Sequence, residues 1–212
     1  MQPFTLHEQA AINAVLQHQH QFSRPATGLS STPLPTEMHI ALDGAGVSLV
    51  DVVVHPATGG DMSASMVAAA NSAKGCRIFH NHPSEHSLSA ADWTVLANFP
   101  GMEITAVNSE GTTFRGKVLM ASAISNWKTD IQVASAQISN SVSQKVSQWT
   151  NLGDWNFVDQ ATEEWAIGWA IGDCLASKGY AEYECIPAGR ERGIIQPAFM
   201  QELMSIASLA IP

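Results

Sequence analysis

Positive charge is scarce in this chain: only 10 of 212 residues are Lys or Arg, against 19 Asp or Glu, for a net charge of −9. No basic stripe can be assembled from so few cations, so a nucleic-acid backbone is excluded as the expected partner. Long apolar runs are lacking too, none approaching the ~18 residues that span a bilayer. The start, Met1-Gln2-Pro3-Phe4-Thr5-Leu6, has no cationic stretch leading into an apolar core, so no signal peptide is expected. The three cysteines (Cys76, Cys174 and Cys185) are odd in number and lack CxxC spacing. They read as reduced, buried thiols of a cytoplasmic protein and not as a disulfide frame, although export without a signal peptide would leave no mark. What the chain does have is 45% hydrophobic residues with 14% charged, enough for a real core and incompatible with disorder.

Secondary-structure signals divide the chain unevenly. Leu6–His20 has the apolar spacing of a helix, and Arg24–Pro35 is a loop by its Pro, Gly and Ser content. Met38–Asp43 and Val47–His55 read as a hairpin around Gly44-Ala45-Gly46. Ser63–Ser72 is Ala-rich and helical, Cys76–Phe79 is a short buried strand, and Ser89–Asn98 is a helix stopped by Phe99-Pro100-Gly101. Ile104–Asn108 and Thr112–Leu119 complete the strands. An α/β unit with a mixed sheet flanked by helices is therefore expected over residues 31–122, preceded by a helix and loop at 1–30. Residues 123–212 change in composition: they hold five of the six Trp and three helical segments, Ser125–Trp149, Glu163–Lys178 and Pro197–Ile211. They are expected to form a mostly helical second unit.

The most informative stretch is Ile78-Phe79-His80-Asn81-His82-Pro83, followed by Ser89-Ala90-Ala91-Asp92. Two histidines two apart point the same way from a strand end, because side chains alternate with a period of two. Asp92 falls in the first turn of the next helix. Two imidazoles and a carboxylate suit a catalytic zinc, which takes three protein ligands and keeps a fourth position open. Such chemistry also needs a base that is not itself a ligand, and an oxyanion donor. Glu37, at the entry of the first strand, is the best candidate base, with Glu85 as fallback; Ser89 is the best donor. Ser89-Ala-Ala-Asp92 is equally a capping box, and the two readings are compatible. His18 and His20 repeat the HxH spacing inside a helix, where i and i+2 diverge. His39 and His55 read as structural histidines, Asp43 and Asp51 as turn and strand-edge acids, and Arg190-Glu191-Arg192 as an exposed loop.

Glu37 … His80-Asn-His82-Pro83 … Ser89-Ala-Ala-Asp92 resembles the JAMM motif of the JAB/MPN metallopeptidases, and residues 35–118 are most similar to the MPN-like domain of bacterial RadC proteins. The resemblance implies an MPN/JAB-like (cytidine deaminase-like) fold with zinc on His80, His82 and Asp92. It further implies Glu37 as general acid/base, Ser89 as oxyanion stabiliser, and hydrolysis of a peptide or isopeptide bond in a protein or peptide substrate, a ubiquitin-like protein among the candidates. The Ser84–Leu88 loop is shorter than in most members and carries Glu85-His86, so His86 is positioned to affect access to the metal. A non-catalytic MPN-like interaction module is the alternative. Two further zinc or metal enzymes are disfavoured. The letters His-Asn-His are a coincidence with HNH nucleases, and the Pro-Cys-x-x-Cys of a nucleoside deaminase is absent. Oligomeric state is not encoded in any of these features.

Overall fold

A computed structural model describes residues 1–22, 36–56, 60–82, 87–152, 160–188 and 197–212. Glu85, His86 and the Arg190–Arg192 segment lie outside the described residues. Helix α1 (Leu6–Phe22) precedes the hairpin β1 (Thr36–Asp43) and β2 (Leu49–Pro56), then α2 (Ala64–Ala70), β3 (Cys76–Asn81), α3 (Ala90–Asn98), β4 (Met102–Val107) and β5 (Thr113–Val118). A short 3-10 turn at Ala121–Ala123 leads to α4 (Trp127–Leu152), α5 (Gln160–Ser177), β6 (Ala181–Ile186) and α6 (Pro197–Ala210). The strands form one six-stranded mixed sheet in the order β2-β1-β3-β4-β5-β6. Among the described residues only β3 and β4 run parallel, and α3 is the crossover between them, as a parallel pair requires. The expected α/β class, a mixed sheet flanked by helices, is therefore observed.

Local chemistry explains the turns. At the β1–β2 connection the carboxylate of Asp43 accepts from the backbone N–H of Val47 and Ser48, and Gly46 takes a φ of 70°. A Cβ there would lie 2.7 Å from the Glu8 carboxylate, so α1 closes onto this turn at a distance only glycine permits. Glu8 also pairs with Arg77 of β3, fixing α1 across the sheet.

The period of two assigns the two faces. Ile40, Leu42, Phe79 and Val107 face α1 and pack with Ala11, Ile12 and Val15. Ala41, Ile78, Ile104, Ala106 and Phe114 face the other way, into a larger core with Trp93, Trp127, Ile131, Ile138 and Leu175. That core joins the sheet to α3, α4, α5 and α6 without a break. The segment expected as a second unit is mostly helical, but it also supplies β6, which pairs antiparallel with β5 from Thr113↔Ile186 to Val118↔Ala181. Gly172 of α5 lies so close to the sheet that a Cβ would stand 2.5 Å from the Tyr183 ring. The described helices α4, α5 and α6 and strand β6 thus share one core with the preceding α/β unit. No helix among the described residues is long and apolar enough to cross a membrane.

Candidate metal centre

Cross-strand register brings the candidate residues together. β1 runs antiparallel between β2 and β3, with Glu37 opposite His55 and His39 opposite His80. Alternation therefore sets Glu37, His39, His55 and His80 on one face, the face covered by α3–α5. His82 follows at the end of β3, where its N–H donates to the Val107 carbonyl, 2.9 Å. Its own carbonyl accepts from Gln19 of α1, 2.5 Å. Between the two histidines, the fully buried Asn81 points to the opposite face. Its side-chain oxygen accepts from Met38 N–H (2.7 Å) and its amide donates to the Thr36 carbonyl (3.1 Å). The strand carrying Glu37 is thereby clamped to the strand carrying His80.

The ring nitrogens His80 Nε2 and His82 Nε2 stand 2.8 Å apart, with the rings stacked at a centroid separation of 4.7 Å. Asp92 approaches from α3, Oδ1 at 3.7 Å from His80 Nε2 and Oδ2 at 3.4 Å from His82 Nε2. Glu37 Oε1 lies 3.8 Å from His80 Nε2. Four ligand atoms at ~2.0–2.1 Å around a tetrahedral ion are ~3.4 Å apart, so this donor set fits a metal with small adjustments. Glu37, His80 and His82 form a group whose ligand atoms all lie within 4.8 Å of one another, so Glu37 competes geometrically with Asp92 for the third position.

Ser89 is where the sequence placed it, as the N-cap of α3. Its side chain accepts from Asp92 N–H and donates to Asp92 Oδ2 at 2.7 Å, and its backbone N–H donates to the same oxygen at 2.7 Å. The capping box thus orients the Asp92 carboxylate beside the two imidazoles. The Ser89 hydroxyl proton is committed to Asp92. The neighbouring Ser87, buried beside α5, is bonded to the Tyr183 hydroxyl at 3.0 Å.

His39 was expected to be structural, yet its Nε2 lies 3.0 Å from Glu37 Oε1 and its ring packs 5.2 Å from that of His80. It is a site residue that the sequence reading missed. The His18–His20 pair, in contrast, diverges: His18 binds Thr36 and His20 binds the Ser109 carbonyl. Cys76 is fully buried on β3, and burial pushes its thiol up to about 11, leaving it unreactive.

The site opens into a cavity of about 760 Å³. Its described walls combine Glu37, Asp61 and Asp92 with Ile78 and Ile104 from the sheet, Val95 from α3, Gln132, Ser135 and Ser139 from α4, and Ile167 and Ile171 from α5. No Lys or Arg lines it among the described residues.

Burial pulls the His80 imidazole down to about 4, more than Asp92 pulls it up, so His80 is neutral at neutral pH, the form that binds metal. Burial pushes the Asp92 carboxyl up, but His80, His82 and Ser89 outweigh it and hold it well below the usual carboxylate range. For Glu37, burial is likewise outweighed, chiefly by the hydrogen bond from His39, and its carboxyl lies below its ordinary value. Below pH 6.5 an unfolded His80 takes up a proton that the folded one refuses, so stability falls as pH drops from 6.5 toward 4. The loss from this group is roughly 3 kcal/mol. Asp92 and Glu37 lose stability further down, once the unfolded carboxylates protonate. Urea midpoints of chelator-treated protein should decrease between about pH 7 and about pH 5, and a constant midpoint would contradict the burial of a neutral His80.

No family model, curated protein or solved structure matches this chain.

Proposed function

We propose that the chain is a zinc-dependent peptidase or isopeptidase of the JAB/MPN (JAMM) type, hydrolysing an amide bond in a protein or peptide substrate. The observation that carries the reading is the meeting of His80, His82 and Asp92, from two separate elements, with Glu37 less than 4 Å from His80 on the wall of a substrate-sized cavity. The two imidazoles and Asp92 would hold the zinc, which when bound would supply Lewis acidity and lower the pKa of water. Glu37 takes the proton of the attacking water and returns it to the leaving amine nitrogen. Ser89 stabilises the carbonyl oxygen as charge develops there. The hairpin β1–β2, with the β3–α3–β4 crossover carrying both histidines and the aspartate, suits an MPN/JAB-like fold. A cavity with acids at the metal and aliphatic side chains beyond it suits a neutral amide flanked by an apolar side chain, and is unsuited to phosphate. The three free thiols fit a reducing compartment such as the cytoplasm.

The test is the metal content of untagged protein by elemental mass spectrometry, followed by a screen of peptide and isopeptide substrates with and without chelator. About one zinc per chain and chelator-sensitive cleavage support the reading. Protein that takes up no metal when zinc is supplied would remove it and favour an interaction module.

A further inference from the structure

The position of Glu37 poses a chemical problem. It is close enough to His80 to join the metal as a ligand, whereas general-base catalysis requires it to remain free. We propose that His39 settles this: it is a positioning residue whose Nε2–H holds the Glu37 carboxylate beside the metal and off it. The inference rests on the metallopeptidase reading and adds to it a residue outside the motif.

Three observations converge on His39. Its hydrogen bond to Glu37 Oε1 has an ordinary length (3.0 Å), and the two side chains are only 11% and 13% exposed, so water competes poorly for either partner. The Nδ1 atom of the same ring is buried without a hydrogen-bond partner. An unsatisfied buried nitrogen costs stability, and a phenyl ring of similar size would avoid that cost. Packing alone therefore does not account for a histidine here; the bond to Glu37 does. Finally, the ring is held from both sides, by His80 at 5.2 Å and edge-on by His55 at 5.0 Å. His55 is itself pressed by Gly60, where a Cβ would stand 2.0 Å from the ring. Gly60, His55, His39 and Glu37 form a line of contacts ending at the base.

Cobalt(II) replaces zinc in such donor sets, and its visible d–d bands weaken when a fourth protein ligand raises the coordination number. The spectrum thus reports whether Glu37 is on the metal, with no substrate needed. Cobalt-loaded wild type and Glu37→Gln should give the same spectrum, because Glu37 is not a ligand. His39→Phe should keep one cobalt per chain but show weaker, shifted bands as Glu37 swings onto the ion. Adding Glu37→Gln to His39→Phe should restore the wild-type bands. With a cleavable substrate, kcat of His39→Phe should fall by about 10–100-fold with KM held, a split that a merely structural defect would not give. An unshifted His39→Phe spectrum would overturn the proposal while leaving the metal centre intact. So would a Glu37→Gln change in the wild-type background, which remains decisive should His39→Phe fail to fold. A wild type that binds no cobalt would instead overturn the metallopeptidase reading, and this proposal with it.

Discussion

Glu37→Gln is expected to purify with the same zinc content as the wild type and to turn over substrate about 10²–10⁴-fold more slowly. Gln has the shape of Glu and keeps an oxygen that can accept from His39 Nε2, so the local packing has no reason to change. It lacks the basicity that takes a proton from water. The carboxyl of Glu37 is already held below its ordinary value, by the hydrogen bond from His39 and the neighbouring imidazoles, so it is ionised at neutral pH and ready to accept. Comparing zinc content with the rate of the chemical step separates the two roles that its geometry allows. Zinc lost together with activity would make Glu37 a ligand. Zinc kept with full activity would move the base elsewhere, and Glu85 would be the next residue to replace.

His82→Ala carries the second large effect. It removes one of two buried imidazoles whose ring nitrogens lie 2.8 Å apart, leaving His80 with carboxylates alone. Zinc affinity should drop by more than the ~10–100-fold that follows loss of a group that only orients a ligand. Titration against a chromophoric chelator measures this. The fold should survive, because the His82 backbone, not its ring, makes the bonds to Val107 and Gln19. A variant that binds zinc as tightly as the wild type, with unchanged stability, would place the metal elsewhere.

The candidate centre was legible in the sequence where its residues are local. His80, His82 and Asp92 follow from strand alternation and a helix start within one short stretch, and Glu37 from its place at a strand entry. His39 was partly legible: it is two residues from Glu37 on the same strand and must share its face. What the sequence could not supply was the register that sets His39 opposite His80, since pairing between β1 and β3 depends on the whole core. β6 was missed for a different reason. Ala181, Tyr183 and Cys185 alternate with Glu182, Glu184 and Ile186, a valid strand pattern, but it is short and closely follows a helix ending at Ser177 and the turn at Gly179. The periodicity of α4 was there to be read: Trp127, Ile131, Ala134, Ile138 and Val142 are buried at a regular spacing of three and four residues, with Ser, Ala and Gln filling the positions between them. The expected boundary near residue 122 followed a real change in composition, but composition does not report which segments share a core.

Closure of the sheet by β6 has a consequence for how the molecule reaches its native state. Val118 ends β5, and its partner Ala181 arrives only after two long helices have been formed. Contacts so distant in sequence pay their loop entropy before they return any energy, which slows folding. Until β6 docks, β5 is an unpaired edge next to a large apolar face, a surface prone to intermolecular pairing. During synthesis the strands bearing the histidines emerge well before the segment that walls their cavity. The cavity is thus assembled last, and slow refolding with aggregation at high protein concentration is the expected signature of that order.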